Sequence, residues 1–104
     1  MAHEKASFKD IFTTSLELIN IMENNNGYVF SNRNNESFSY VKDNFTITVS
    51  TQISGYVSAH LSYTKKKNES TDTLKINQYL NLTDFNKSIS DCEFECLKVA
   101  NHFN

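Results

Sequence analysis

Two cysteines stand four residues apart in the segment SDCEFECLKV, with Glu93 and Glu95 between them. Residues at this spacing share one face of a helix, so Cys92 and Cys96 could chelate one metal ion. Zinc needs three or four ligands, however, and His102 lies about 240° round the helix from Cys96. A disulfide is disfavoured too, because the Cβ atoms would be about 5–6 Å apart where about 3.5–4.5 Å is needed. We therefore predict core packing, with no metal and no cofactor.

A serine–histidine pair is the second candidate for chemistry. Ser58, His60 and Ser62 alternate along one predicted strand and would project from the same face. Strand alternation alone explains this spacing, and no carboxylate is evident to orient the imidazole. With only two glycines, the chain also lacks a nucleophile elbow and a phosphate-binding loop. These observations predict a protein that is not an enzyme.

A run of three lysines forms the strongest charge cluster, in the predicted hairpin tip KKKNESTD. Lys65, Lys66 and Lys67 could contact phosphates, which makes nucleic-acid binding the alternative function. Acidic residues follow at once, and Arg33 is the only arginine, although phosphate recognition relies heavily on arginine. A solvated loop tip is the simpler interpretation, and nucleic acid is disfavoured as a partner.

The composition predicts one globular domain spanning residues 1–104. Hydrophobic residues make up 38% of the chain and the net charge is −2, which favours a packed core without strong steering towards anionic partners. The first ten residues lack the pattern of a signal peptide, and no apolar run is long enough for a membrane span. We therefore expect a cytoplasmic protein with reduced cysteines and no membrane partner.

Two segments have the periodicity of amphipathic helices. Apolar residues recur at spacings of three and four from Phe8 to Met22, which predicts a helix over residues 7–25 that ends at Gly27. The same periodicity over residues 83–103 predicts a C-terminal helix, whose buried stripe comprises Phe85, Ile89, Cys92, Cys96, Val99 and Phe103.

Between the helices the period changes to two. The segments YVFSN, SFSYVK, NFTITVSTQI, YVSAHLSYT and TLKINQYLNL alternate apolar and polar residues and are separated by short polar connections. They predict four or five strands in an antiparallel meander. The expected fold is α+β, a two-layer sandwich in which an N-terminal and a C-terminal helix pack on the same face of the sheet.

The polar face of this sheet is the predicted contact surface. Tyrosines there can anchor a partner at low entropic cost, and an open edge can pair with another strand. The predicted partner-binding residues on this face and the adjoining hairpin tip are Tyr56, His60, Lys65, Lys66, Lys67, Lys75 and Tyr79.

The leading functional hypothesis is a small non-enzymatic protein-binding module. It would inhibit a larger host protein by occluding its surface, and a homodimer is an open alternative. Abundant Asn, Ser, Thr and Lys with a single arginine indicate an AT-rich coding genome, as in many Gram-positive bacteria and their phages. The sequence therefore favours a phage or mobile-element protein acting in the host cytoplasm.

Overall fold

The computed structural model describes residues 15–51, 57–67 and 72–103. Helix α1 occupies residues 15–26, of which Ile21–Asn25 form a π-helical turn. The predicted N-terminal helix is thus confirmed from residue 15 onward, and residues 7–14 lie outside the described part. Gly27 has a φ of 73°, and the Tyr28 amide donates to the Met22 carbonyl at 2.9 Å, which closes the end of the helix.

Five strands form one antiparallel sheet in sequence order, so the predicted meander is confirmed. β2 and β3 are joined by the two-residue turn Asp43–Asn44, in which Asp43 adopts a φ of 54°. β1 carries an irregularity in its register between Phe30 and Asn32. The strands are β1 Val29–Arg33, β2 Ser37–Lys42, β3 Phe45–Thr51, β4 Val57–Lys66 and β5 Thr73–Tyr79.

A 3₁₀ turn, Leu82–Asp84, leads from the sheet into helix α2, Phe85–Phe103. The Asn81 side chain accepts a hydrogen bond from the Thr83 amide at 3.0 Å and so caps this turn. The fifth strand therefore ends at Tyr79, earlier than its sequence pattern predicts. Among the described residues, no helix has the length and apolar character needed to cross a membrane.

One hydrophobic core lies between the helices and a single face of the sheet. Burial alternates along β3 and β4, as the period of two predicts. Met22 of α1 and Ile89 of α2 are both 0% exposed, so each helix contributes to the centre of this core. The buried strand residues are Tyr40, Phe45, Ile47, Val49, Val57, Ala59, Leu61 and Tyr63.

The buried stripe of α2 contains both cysteines, which are free thiols packed in the core. Cys92 also donates a hydrogen bond to the Gln78 side chain of β5 at 3.2 Å. The predicted stripe is wrong at its C-terminal end, where Val99 is 45% exposed and Ala100 is buried instead. A helix of 3.6 residues per turn returns to the same face after four residues as well as after three, and here the step from Cys96 is four.

Candidate functional site

The outer face of the sheet, on the side away from the helices, is built from short polar side chains in register. Thr48 of β3 pairs with Ser39 on one side and with His60 on the other, and His60 pairs with Tyr79. We define the outer face as the exposed-side residues of β2 to β5: Ser37, Ser39, Val41, Thr46, Thr48, Ser50, Ser58, His60, Ser62, Thr64, Lys66, Thr73, Lys75, Asn77 and Tyr79.

Cross-strand contacts hold several of these side chains in place. The hydroxyl groups of Ser39 and Thr48 lie 3.1 Å apart, and the Ser62 hydroxyl donates to the Asn77 side-chain oxygen. The rings of His60 and Tyr79 meet edge to face, with centroids 6.2 Å apart and an interplanar angle of 72°. These contacts preorganise the outer face, because groups that are already ordered lose less entropy when anything binds to them.

Tyr79 is the most exposed large hydrophobic side chain of the outer face. It is 77% exposed and stands at the end of the edge strand β5. An aromatic ring at this exposure leaves most of its apolar area in water, which binding to another protein would remove. Tyr79 therefore has the character of an interface anchor, with His60 supporting one side of its ring.

The structure divides the predicted lysine cluster between different surfaces. β4 continues through Lys66, so Lys65 and Lys66 lie within a strand and point to opposite faces of the sheet. The Lys67 ammonium lies 6.0 Å from the ring centroid of Phe103, at the end of α2. The placement in a hairpin loop is therefore wrong for Lys65 and Lys66, because β4 ends two residues beyond the pattern YVSAHLSYT.

Of the seven predicted partner-binding residues, the structure brings four together on the outer face. These are His60, Lys66, Lys75 and Tyr79, whereas Lys65 and Lys67 lie elsewhere. Tyr56 lies outside the described residues. Within the described residues, the lysine run does not form a cluster that could bind one phosphate group, because successive side chains of a strand point to opposite faces of the sheet.

A charged cluster on the helix side was not predicted from the sequence. Glu93 of α2 accepts a hydrogen bond from the Tyr28 hydroxyl and pairs with the Lys42 ammonium at 2.8 Å. The Lys42 ammonium also lies 4.7 Å from the centroid of the Tyr28 ring. The Glu93 and Lys42 side chains are only 17% and 27% exposed. Burial, and then the hydrogen bond to Glu93, raises the pKa of Tyr28 above its usual value.

This cluster joins three parts of the chain around one carboxylate. Tyr28 precedes β1, Lys42 ends β2 and Glu93 belongs to α2. One feature of the sequence could have indicated this cluster. Lys42 lies two residues after the buried Tyr40 in SFSYVK, so its side chain points to the same face of the sheet. The cluster is placed to fasten the C-terminal helix to the sheet.

The described residues also line an open groove of about 340 Å³ beside α1. Ile19, Phe30 and Phe38 form part of its apolar wall, and Arg33 and Glu36 bring opposite charges to its lining. Within residues 15–51, 57–67 and 72–103, no three His, Cys, Asp or Glu side chains are grouped to hold a metal ion.

Comparison of the chain with protein-family models, with curated proteins and with solved structures found no match.

Proposed function

We propose that this protein is a non-enzymatic binding module that inhibits a larger host protein by covering part of its surface. The observation that carries the proposal is the preorganised outer face, with the exposed Tyr79 ring at its edge. The composition, which indicates an AT-rich genome, supports a phage or mobile-element origin and action in the bacterial cytoplasm.

The size of the outer face supports a protein partner. The outer face spans four strands, β2 to β5. A spacing of about 4.8 Å between strands and a length of about seven residues give a projected area of about 450 Å². The accessible surface area is larger than this projected area because side chains protrude from the sheet. It is of the order of the 800 Å² or so that each partner contributes to a standard interface. The whole outer face is therefore the right scale for one side of a protein complex.

The chemistry of the outer face also supports a protein partner. Hydroxyl groups can donate and accept hydrogen bonds, and the Tyr79 ring can fill an apolar pocket on the partner. Lys66 and Lys75 add positive charge near β5, so the surface they contact should be neutral or acidic. A partner with these features would lose access to whatever its own covered surface binds.

The test places a photo-crosslinking amino acid at position 79 or at position 94. Phe94 is the matched control because it is 65% exposed on α2, on the other side of the molecule. Lysates of Gram-positive bacteria with AT-rich genomes provide candidate partners. We expect one protein to be crosslinked in stoichiometric yield from position 79 and not from position 94.

Affinity measurements with the purified partner then test the anchor itself. Tyr79→Ala should weaken binding by about 30-fold, because truncating an aromatic residue that anchors an interface costs about 2 kcal/mol or more. Phe94→Ala should leave the affinity unchanged. Loss of binding in the Phe94 variant with full retention in the Tyr79 variant would move the interface to the helix side and refute the proposal.

The alternative functions give distinct outcomes in the same system. If nucleic acid is the ligand, the charge reversals Lys65→Glu, Lys66→Glu and Lys67→Glu should abolish binding while Tyr79→Ala preserves it. If the partner is a second copy of this chain, light scattering of the pure protein should give twice the monomer mass. Either result would contradict inhibition of a host protein through the outer face.

A further inference from the structure

The C-terminal end of α1 carries an asparagine followed directly by a glycine. Asn26 is the last helical residue, and Gly27 adopts the left-handed conformation that ends the helix. The Asn26 side-chain amide donates to the Ile21 carbonyl at 3.0 Å and to the Asn86 side-chain oxygen at 2.8 Å. Because Asn86 belongs to α2, this amide links the end of one helix to the start of the other.

Asparagine before glycine is open to intramolecular attack, since glycine has no Cβ to shield its backbone nitrogen. The Gly27 nitrogen attacks the Asn26 side-chain carbon and forms a new C–N bond. The bond from that carbon to Nδ2 breaks, and ammonia leaves with the proton lost from the Gly27 amide. Water then opens the cyclic imide at either carbonyl, which yields aspartate or isoaspartate.

The folded backbone holds Asn26 in a conformation that does not allow the ring to close. Ring closure requires Cβ and the next nitrogen to be eclipsed about the Cα–C bond, which places ψ near about −120° in an L residue. Asn26 has a ψ of −3°, so a rotation of about 120° is needed. The same rotation would redirect Gly27 and break the turn that closes α1.

We infer that Asn26 is a deamidation site that reacts only when the end of α1 opens, and that its conversion releases α1 from α2. The product carboxylate donates no hydrogen bond to the Ile21 carbonyl or to Asn86. It also places a negative charge at the C-terminal end of a helix, where the dipole is unfavourable. Isoaspartate further lengthens the backbone at the turn. The inference is independent of the proposed function.

The reaction is followed by peptide mass spectrometry at mildly alkaline pH, in buffer and in urea. We expect the peptide containing Asn26 to deamidate many times more slowly in the folded protein than in urea. In urea, Gly27→Ala should slow the reaction markedly, because the added Cβ shields the attacking nitrogen. The comparison is made in urea so that strain in the folded turn does not affect it. Equal rates in buffer and in urea would overturn the protective role of the fold.

Loosening the link should accelerate the reaction in the folded protein. Asn86→Ala removes one acceptor, and a net loss of about 1 kcal/mol corresponds to about fivefold more opening and a fivefold faster reaction. Asn101→Ala, also exposed on α2, is the matched control and should react like the wild type. An unchanged rate in the Asn86 variant would show that this contact does not gate the site.

The release of α1 is tested with the variant Asn26→Asp, which has the product side chain. Hydrogen exchange of the backbone amides over residues 15–26 should be about fivefold faster than in the wild type, while exchange in the middle of α2 is unchanged. Wild-type exchange rates in α1 would show that conversion leaves the helix in place, and would overturn this part of the inference.

Discussion

Replacing Glu93 by glutamine tests whether the charged cluster fastens α2 to the sheet. The substitution keeps the size of the side chain and an oxygen that can accept from the Tyr28 hydroxyl. It removes the charge that pairs with the Lys42 ammonium at 2.8 Å. Lys42 is then left half-buried without its carboxylate, and the variant should be less stable for that reason.

The expected loss follows from the burial of the pair. Hydrogen bonds to charged groups contribute about 1.5–3 kcal/mol, whereas exposed pairs contribute about 0.2–1 kcal/mol. With side chains 17% and 27% exposed, the Glu93–Lys42 pair lies between these cases. We expect Glu93→Gln to lower the free energy of unfolding by about 1.5 kcal/mol. At an m-value of about 1.5 kcal/mol/M, the urea midpoint falls by about 1 M.

A control pair exists on the same helix. Lys87 and Asp91 are 3.1 Å apart, but their side chains are 70% and 63% exposed. Asp91→Asn should therefore leave the urea midpoint unchanged, because solvent screens this exposed pair. A double-mutant cycle with Glu93→Gln and Lys42→Met should give a coupling energy of about 1 kcal/mol. A coupling energy of zero, or equal losses in the Glu93 and Asp91 variants, would refute the reasoning.

Three further predictions concern the core and one turn. Burial raises the pKa of Tyr28 and raises the pKa of Tyr40 to about 12. Each tyrosine is therefore harder to ionise in the folded protein than in the unfolded chain, so its contribution to stability is complete below a pH of about 10. It should decline by about 1.4 kcal/mol per pH unit for each tyrosine between pH of about 10 and 12, and urea titrations at stepped pH measure this. Burial also raises the pKa of the Cys92 and Cys96 thiols, which should react with a thiol reagent only after unfolding; rapid reaction in buffer would contradict their place in the core. Asp43→Gly relieves a left-handed φ and should raise the free energy of unfolding by about 0.5 kcal/mol, so a measured decrease would show that the Asp43 side chain makes a stabilising contact.

Periodicity predicted the layers of this fold because burial follows backbone geometry. The alternation from Phe45 to Thr51 and from Val57 to Tyr63 gave both strands and the side of each residue. Long regular strands are the case in which this reasoning is strongest. It was weaker at the ends of elements, where strand pairing carried β4 on to Lys66 and a capping asparagine ended the sheet after Tyr79.

The contacts of α2 show what periodicity leaves out. Glu93 lies beside the buried stripe, where a carboxylate can be solvated or can meet a cation from another element. The outcome depends on Lys42, which is 51 residues earlier in the chain, and periodicity carries no information about such a pair. The sequence predicted which residues lie on the outer face. It did not predict which of them are neighbours across the strands, because that depends on the strand register.

The division of the sheet into two faces separates the residues that stabilise the fold from those of the proposed contact surface. Every buried strand residue in the described ranges faces the helices, and the ion pair at Glu93 lies on that side as well. The outer face contributes short polar groups whose replacement removes little buried area. Residues such as Thr48 and Ser62 can therefore change with small effects on folding, and this freedom would let the proposed contact surface adapt to a partner while the core stays the same.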